Sequence, residues 1–391
     1  MSPPGGSTPI TPGTMIGRYR LERRLGAGAM GEVFLGIDDG LGRRAALKLL
    51  GKQHLKNDTL RERFLREARA IARLAHPNLI IIFEAGEHGD RPYYAMELLE
   101  GGDTMQLLSE QRVLTPGVVA SIGAQAAGGL AEAERGGITH RDVKPSNLGI
   151  TGRGVIKVTD FGLAKSSARE QSLTGKGLVV GTADYIAPEQ ARGDKLDGRT
   201  DVYSLGCTLY HLLAGWPPYR RDDGSAVQSY MDVIYEHLRS PVPDIRAVLP
   251  DIDGRLYDLL TSSMAKSPDD RPTLDHLAAG LQAVAGRLRG EIPRLSKRAL
   301  ASAADLENKT TAVDRPARIR PVVTTVADGP MSARLVDSEP EPGSEADSDG
   351  ASGDSDSIDR AVRRFSPRWP RAVVAVAALA AALLLVARLL G

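Results

Sequence analysis

A single cysteine, Cys207, leaves the 391-residue chain without the means to form an internal disulfide. Neither charge predominates: 50 basic residues stand against 49 acidic ones, which excludes the basic footprint of a nucleic-acid binder and predicts no nucleic-acid partner. Residues 1–17 are rich in Pro, Gly, Ser and Thr and hold no apolar stretch, so they predict a disordered segment and no secretory signal. Long apolar sequence is missing except near the end, where residues 372–387 are uncharged and apolar throughout. A chain of this length predicts one domain with appendages.

What the chain does have is a set of spaced motifs. Gly26-Ala27-Gly28-Ala29-Met30-Gly31-Glu32-Val33 lies between two runs with strand character, residues 19–25 and 32–37, which predicts a hairpin. Glycines without Cβ atoms let backbone N–H groups close over phosphate oxygens. A dinucleotide-binding turn would require a helix directly after the glycines and an acidic residue about 20 positions on, and neither is present. Lys48 follows in Ala45-Ala46-Leu47-Lys48. Residues 61–74 place Phe64, Leu65, Ala68, Ile71 and Ala72 at helical spacing, predicting an amphipathic helix. A lysine on a strand needs an anionic partner, and that helix offers Glu62 and Glu67. Next comes an apolar strand, Tyr93-Tyr94-Ala95-Met96-Glu97-Leu98-Leu99, running into Gly101-Gly102. Then come His140-Arg141-Asp142-Val143-Lys144-Pro145-Ser146-Asn147, Asp160-Phe161-Gly162 behind a predicted strand at 155–158, and Ala187-Pro188-Glu189.

In this order the motifs resemble those of the eukaryotic-like bacterial serine/threonine protein kinases, over roughly residues 18 to 288. The resemblance implies a bilobal α+β fold: a small β-rich N-lobe at 18–96, a larger helical C-lobe at 97–288, and ATP with Mg2+ between them. Gly26, Ala27, Gly28, Gly31, Val33 and Ala46 would enclose the nucleotide, and Lys48 would hold its α- and β-phosphates. Phe64-Leu65-Arg66-Glu67-Ala68 ahead of His76-Pro77-Asn78 selects Glu67 over Glu62 as the partner of Lys48. Met96 would be the gatekeeper, with core packing as its plainer role, and backbone groups of Glu97 and Leu99 would bond the adenine edge. Asp142 would accept or orient the proton of a Ser/Thr hydroxyl on a protein substrate, and Lys144, two places on, would neutralise the moving γ-phosphate. Asn147 and Asp160 would hold magnesium.

The same resemblance makes residues 160–189 an activation segment, with Thr174 and Ser172 as candidate phosphosites facing Arg141. Thr182 would contact the catalytic Asp and Lys. Glu189 would pair with Arg271, and Asp201 would cap the catalytic loop; both serve the fold. Cys207 reads as a small buried hydrophobe. Gly149 departs from the family, which has a bulky apolar residue there beneath the adenine; an open gap would weaken ATP binding.

Past the predicted domain, residues 289–371 lose periodicity and predict a disordered juxtamembrane linker. It is acidic at 337–359, with nine carboxylates, then basic at 360–371. The segment could be a spacer, or its Ser and Thr residues could take phosphate from the attached domain. Residues 372–391 predict a transmembrane helix: the 16 apolar residues span about 24 Å, Arg388 can snorkel, and the arginines before it favour a cytoplasmic N-terminal side. A membrane bilayer is therefore an expected partner, as is a homodimer for trans-autophosphorylation. An alanine-rich dimerisation helix competes for the last segment. Two rival functions also stand: a pseudokinase scaffold, which would have lost Lys48, Asp142 or Asp160, and a small-molecule kinase, which would lack the long segment after Phe161.

Overall fold

In the computed structural model, residues 10–28, 30–162, 183–220 and 229–294 are described. Six strands make one antiparallel sheet in the order β1-β2-β3-β4-β6-β5. They are β1 (Met15–Ile16), β2 (Tyr19–Gly28), β3 (Gly31–Asp38), β4 (Arg43–Leu50), β5 (Ile82–His88) and β6 (Arg91–Glu97). Helix α1 (Asp58–Ile71) enters between β4 and β5, which is why β4 pairs with β6 rather than with its successor. The side-chain period of two then sorts the sheet into faces. Tyr94 joins Leu50, Phe64, Leu65 and Ala68 beneath α1, whereas Tyr93 and Ala95 join Ile16, Tyr19, Phe34, Leu47 and Leu49 on the opposite face. Asn57 caps α1 by accepting from Leu60 N at 3.0 Å, so the helix starts three residues before the predicted 61.

The N-terminal expectation needs correction. Residues 1–17 are not disordered to the end: β1 pairs with β2, and Ile16 is fully buried in the sheet's outer cluster. Ile16 is joined on that cluster by partly buried Ile10, and Gly13 N donates to Leu21 O at 2.7 Å.

The second lobe holds helices α2 (Thr104–Gln111), α3 (Pro116–Arg135), α4 (Pro188–Arg192), α5 (Gly198–Ala214), α6 (Tyr230–Arg239), α7 (Gly254–Ser263) and α8 (Leu274–Leu288), with a two-stranded ribbon, β7 (Leu148–Ile150) and β8 (Ile156–Val158). All but one residue of α5 are buried, the signature of a helix enclosed on every side. Alanines and glycines on α3 allow close packing; a Cβ at Gly123 would lie 2.8 Å from Leu281 and 2.9 Å from Leu209. The two-lobed α+β architecture is the one expected. Among the described residues no helix is long and apolar enough to cross a membrane. The predicted span 372–391 and the linker from 295 onward lie outside the described residues, as do Ser172, Thr174 and Thr182.

Candidate active site

The cleft between the lobes gathers the sequence-selected residues. On its upper side the β2–β3 hairpin lies directly on the end of β4. Gly51 N donates to Met30 O at 2.9 Å, and a Cβ at Gly31 would run into the backbone carbonyl of Leu49, so only glycine permits this approach. Gly26 pairs with Val33, Ala27 with Glu32 and Gly28 with Gly31 in the ladder; Val33 in turn faces Lys48, and Ala46 faces Met96.

Lys48 is buried, and its Nζ stands 2.6 Å from Asp160 Oδ1. Burial alone would lower the lysine's pKa, but the charge of Asp160, with smaller contributions from Tyr94 and Glu67, holds it above its ordinary value. Burial also works to raise the Asp160 carboxyl, and Lys48 outweighs it and keeps Asp160 below the usual carboxylate range. The expected Lys48–Glu67 ion pair is therefore not formed in this conformation: the lysine is taken by Asp160. Glu67 is 6 % exposed on α1, and burial pushes its carboxyl up to about 8 against the pull of Lys48. It is placed beside the site without closing it.

The catalytic loop is held from below by Asp201, whose Oδ2 accepts from His140 N at 2.7 Å and whose Oδ1 accepts from Arg141 N at 2.8 Å. Burial raises this carboxyl to about 7 while the two donors oppose the rise. His140 Nδ1 accepts from Asp142 N at 3.2 Å, so its proton sits on Nε2, which donates to Thr159 O at 2.8 Å. The His140 ring also packs on Phe161, centroids 4.5 Å apart, and Gly162 N donates to His140 O at 2.7 Å. These contacts lock the loop to the Asp160-Phe161-Gly162 turn. Arg141 and Asp160 sit at φ 66° and 54°, a left-handed conformation costly for side-chain-bearing residues and commonly retained at functional sites.

Asp142 Oδ2 lies 3.0 Å from Lys144 Nζ and accepts from Asn147 Nδ2 at 3.3 Å; the same Nδ2 donates to Asp142 O at 2.8 Å. With its amide nitrogen so used, Asn147 keeps Oδ1 as a hard oxygen acceptor. Such a donor set suits magnesium, which takes one or two protein oxygens and fills its octahedron with phosphates and water. No group of three or more His, Cys, Asp or Glu converges on a point among the described residues.

At the back of the cleft, Met96 packs against both the small-lobe cluster beneath α1 and the core of the large lobe, as a gatekeeper in the core would. The Leu99 backbone N–H and C=O have no hydrogen-bond partner among the described residues. The Glu97 side chain carries more than was expected. Its Oε1 accepts from Ile81 N at 2.8 Å and pairs with Lys157 Nζ at 2.8 Å, and Lys157 also donates to Leu79 O at 3.1 Å. This ties the hinge to Lys157 on β8, two residues before Thr159 and three before Asp160. A lysine inside the apolar strand Ile156-Lys157-Val158 was the available signal. Also missed was Arg91, which reaches across β4 to donate to Leu50 O at 2.7 Å and to Glu32 Oε2 at 2.6 Å.

The expected gap at Gly149 is absent. A Cβ on Gly149 would collide with Leu99 Cδ1, so that side chain already occupies the place.

Glu189 and Arg271 form the expected pair, bidentate at 2.7 and 2.9 Å with both side chains buried, and Arg271 further donates to the carbonyls of Ala265, Arg199 and Lys266. Arg271 holds the Glu189 carboxyl below its usual value against the opposing effect of burial. Cys207 is buried, and burial pushes its thiol up, which makes it inert.

Residues 19–280 match the protein kinase domain family. The chain is 36 % identical over 286 residues to the serine/threonine-protein kinase PknL of Mycobacterium tuberculosis, covering 73 % of this chain and 70 % of that one. It is 37 % identical over 285 residues to the DNA damage-responsive serine/threonine-protein kinase RqkA of Deinococcus radiodurans, covering 71 % of this chain and 41 % of the relative. Among solved structures, the M. tuberculosis PknI kinase domain superposes with a TM-score of 0.55 and 32 % identity, over 71 % of this chain and all of that one. With this family match and these relatives over the region that holds Lys48, Asp142, Asn147 and Asp160, the chain belongs to the bacterial eukaryotic-like serine/threonine protein kinases.

Proposed function

We propose that this kinase transfers the γ-phosphate of ATP to Ser/Thr hydroxyls of proteins, is activated by autophosphorylation at Thr174 or Ser172, and works tethered to the cytoplasmic face of a membrane by residues 372–391. The observation that carries the chemistry is the contact set around Asp142: Lys144 at 3.0 Å, Asn147 at 3.3 Å, and a backbone pinned by Asp201. Asp142 orients the acceptor hydroxyl and takes its proton, while Lys144 offsets charge on the phosphoryl group in transfer. Lys48 orients the α- and β-phosphates. Asn147 and Asp160 would hold magnesium, which when bound supplies charge neutralisation at the phosphate oxygens. A pseudokinase reading is not favoured, since Lys48, Asp142 and Asp160 are all retained.

Tethering is supported by the apolar run at 372–387 behind the basic stretch 360–371. Gathering chains at a surface would raise the local concentration of one activation segment near another active site.

The test is phosphate incorporation from γ-labelled ATP with magnesium into the chain and into generic protein substrates. Wild type, Lys48→Met and Asp142→Asn are compared, with phosphopeptide mapping. Label in wild type alone supports the reading; label in Asp142→Asn at the wild-type rate refutes the role of Asp142. Vesicle flotation with and without residues 372–391 tests the tether, and equal flotation would refute it.

A further inference from the structure

Gly149 sits buried on β7, directly after the catalytic loop, with the hinge lying against it. The contact is built by backbone: Gly101 N donates to Ile150 O at 2.9 Å, Ile150 N donates to Gly102 O at 2.8 Å, and Asp103 bridges Gly149. Glycines make the approach possible. A Cβ on Gly101 would lie 2.7 Å from both Ile150 O and Thr151 O, and Gly102 holds φ 71°. Leu99, just before these glycines, is thereby brought over β7. Its Cδ1 occupies the position of a Gly149 side chain, with its Cγ 3.5 Å from the ideal Cβ and Thr159 Cγ2 at 3.6 Å on the other side. Leu99 also packs against the large-lobe core while staying partly exposed, so its place over β7 is supported from below.

We propose that Leu99 is a specificity-determining residue of the nucleotide site, its side chain forming from the hinge the apolar floor beneath the base that β7, with glycine at 149, does not supply. The inference rests on the ATP reading above and corrects the expectation of a weakened site. Floor and edge recognition then come from one residue, Leu99, through its side chain and its backbone. A substitution there alters the surface under the base without touching the groups that meet the phosphates. Leu99 and Gly149 form a complementary pair: whichever of the two positions carries the bulk, the other must be small.

The experiment measures calorimetric binding of ADP with magnesium to the full chain, with inorganic tripolyphosphate as a probe that has no base. The variants are Leu99→Ala, Leu99→Val, Gly149→Leu and the double variant Leu99→Ala with Gly149→Leu. Thermal unfolding of each shows that it is folded. Leu99→Ala is expected to weaken ADP binding by roughly tenfold, the loss of one buried leucine contact, with Leu99→Val between it and wild type. Gly149→Leu alone weakens ADP binding because two side chains compete for one space. The double variant recovers affinity to within about threefold of wild type. Tripolyphosphate affinity stays constant throughout. Unchanged ADP affinity in folded Leu99→Ala and Leu99→Val, or a double variant weaker than Leu99→Ala alone, overturns the proposal. A wild-type chain that fails to bind ADP overturns the nucleotide reading instead, so the two failures are told apart.

Discussion

Replacing Arg91 by methionine should loosen the phosphate-covering hairpin while leaving the chemical groups in place. Arg91 is 4 % exposed; its Nε donates to Leu50 O at 2.7 Å and its Nη2 to Glu32 Oε2 at 2.6 Å. Glu32 directly follows Gly31, and Leu50 is two residues beyond Lys48, so one guanidinium fastens the exit of the hairpin to the strand that carries the lysine. A charged donor on a buried carbonyl contributes about 1.5–3 kcal/mol. The bond to Glu32 contributes about 1 kcal/mol or less, since that side chain is 28 % exposed and Arg24 at 3.5 Å partly replaces the partner. The β3–β4 ladder from Gly31↔Leu50 to Asp38↔Arg43 survives the change, so only part of this anchoring bears on the hairpin tip. If about 1 kcal/mol does, KM for ATP rises about fivefold. Catalytic turnover should hold within about twofold, because Asp142, Lys144 and Asn147 are untouched. The melting temperature should fall by about 5 °C. Steady-state kinetics at varied ATP, with Arg91→Lys as the partial restorer, decide the matter. A folded Arg91→Met whose KM for ATP matches wild type would refute the strap.

Three further outcomes are expected. Glu189→Gln leaves the Arg271 charge buried without its counter-ion and should cost about 3–5 kcal/mol of stability by denaturant titration, whereas replacing both residues by apolar ones of similar size should cost less than either single change. Burial holds His211 down to about 4 and, with the nearby Lys266 charge, His237 down to about 3, from 6.5. The folded state therefore refuses protons that the unfolded state accepts; stability is full above about pH 6.5 and is lost as pH falls toward 4, by about 3 kcal/mol for His211 alone. Folded His211→Asn should show a shallower loss over that window, and an unchanged pH slope would count against the assignment. Asp201→Asn keeps one acceptor but turns an amide donor toward a backbone N–H; turnover should drop about tenfold with KM for ATP little changed, and an unaltered turnover would show that the loop holds itself.

The candidate phosphate-handling residues were selected in sequence because phosphoryl transfer fixes both residue type and order, and the structure places Gly26 to Val33 on the hairpin, Lys48 against Asp160, and Asp142 against Lys144 and Asn147. The pairing of Lys48 was not legible. Sequence ranks carboxylates by motif, whereas in this conformation a 2.6 Å contact to Asp160 satisfies the lysine and leaves Glu67 aside. Gly149 misled for a similar reason, since a missing side chain announces a gap only if no neighbour leans in, and Leu99 does. Arg91 gave no signal at all, as its meaning depends on the width of one strand lying between it and Glu32. Lys157 did give one, through its place in an apolar strand, and its pairing with Glu97 is a long-range fact.

Helix α5 ties the catalytic loop to the segment that leads into Ala187-Pro188-Glu189. It is buried almost all round, yet Asp201, Ser204, Thr208 and His211 recur along it at spacings of three, four and three, which places them on one stripe. Each polar side chain would be costly in that position without a partner, and each has one. Asp201 holds His140 N and Arg141 N; Ser204 Oγ donates to Tyr185 O at 2.8 Å; Thr208 Oγ1 donates to Ser204 O at 2.8 Å and approaches Val143 O at 3.4 Å; His211 Nδ1 bonds Tyr185 Oη at 2.6 Å. The partners alternate between residues flanking Asp142 and a residue four before Glu189. Gln190 closes the circuit, its Nε2 donating to Arg141 O at 2.9 Å. The catalytic loop and the segment before Glu189 are thus both fastened to one buried helix, through a polar stripe of helical period. A stripe of this kind is visible in sequence once the helix is known to be central: Asp201 and Thr208 face the catalytic loop, and Ser204 and His211 hold Tyr185.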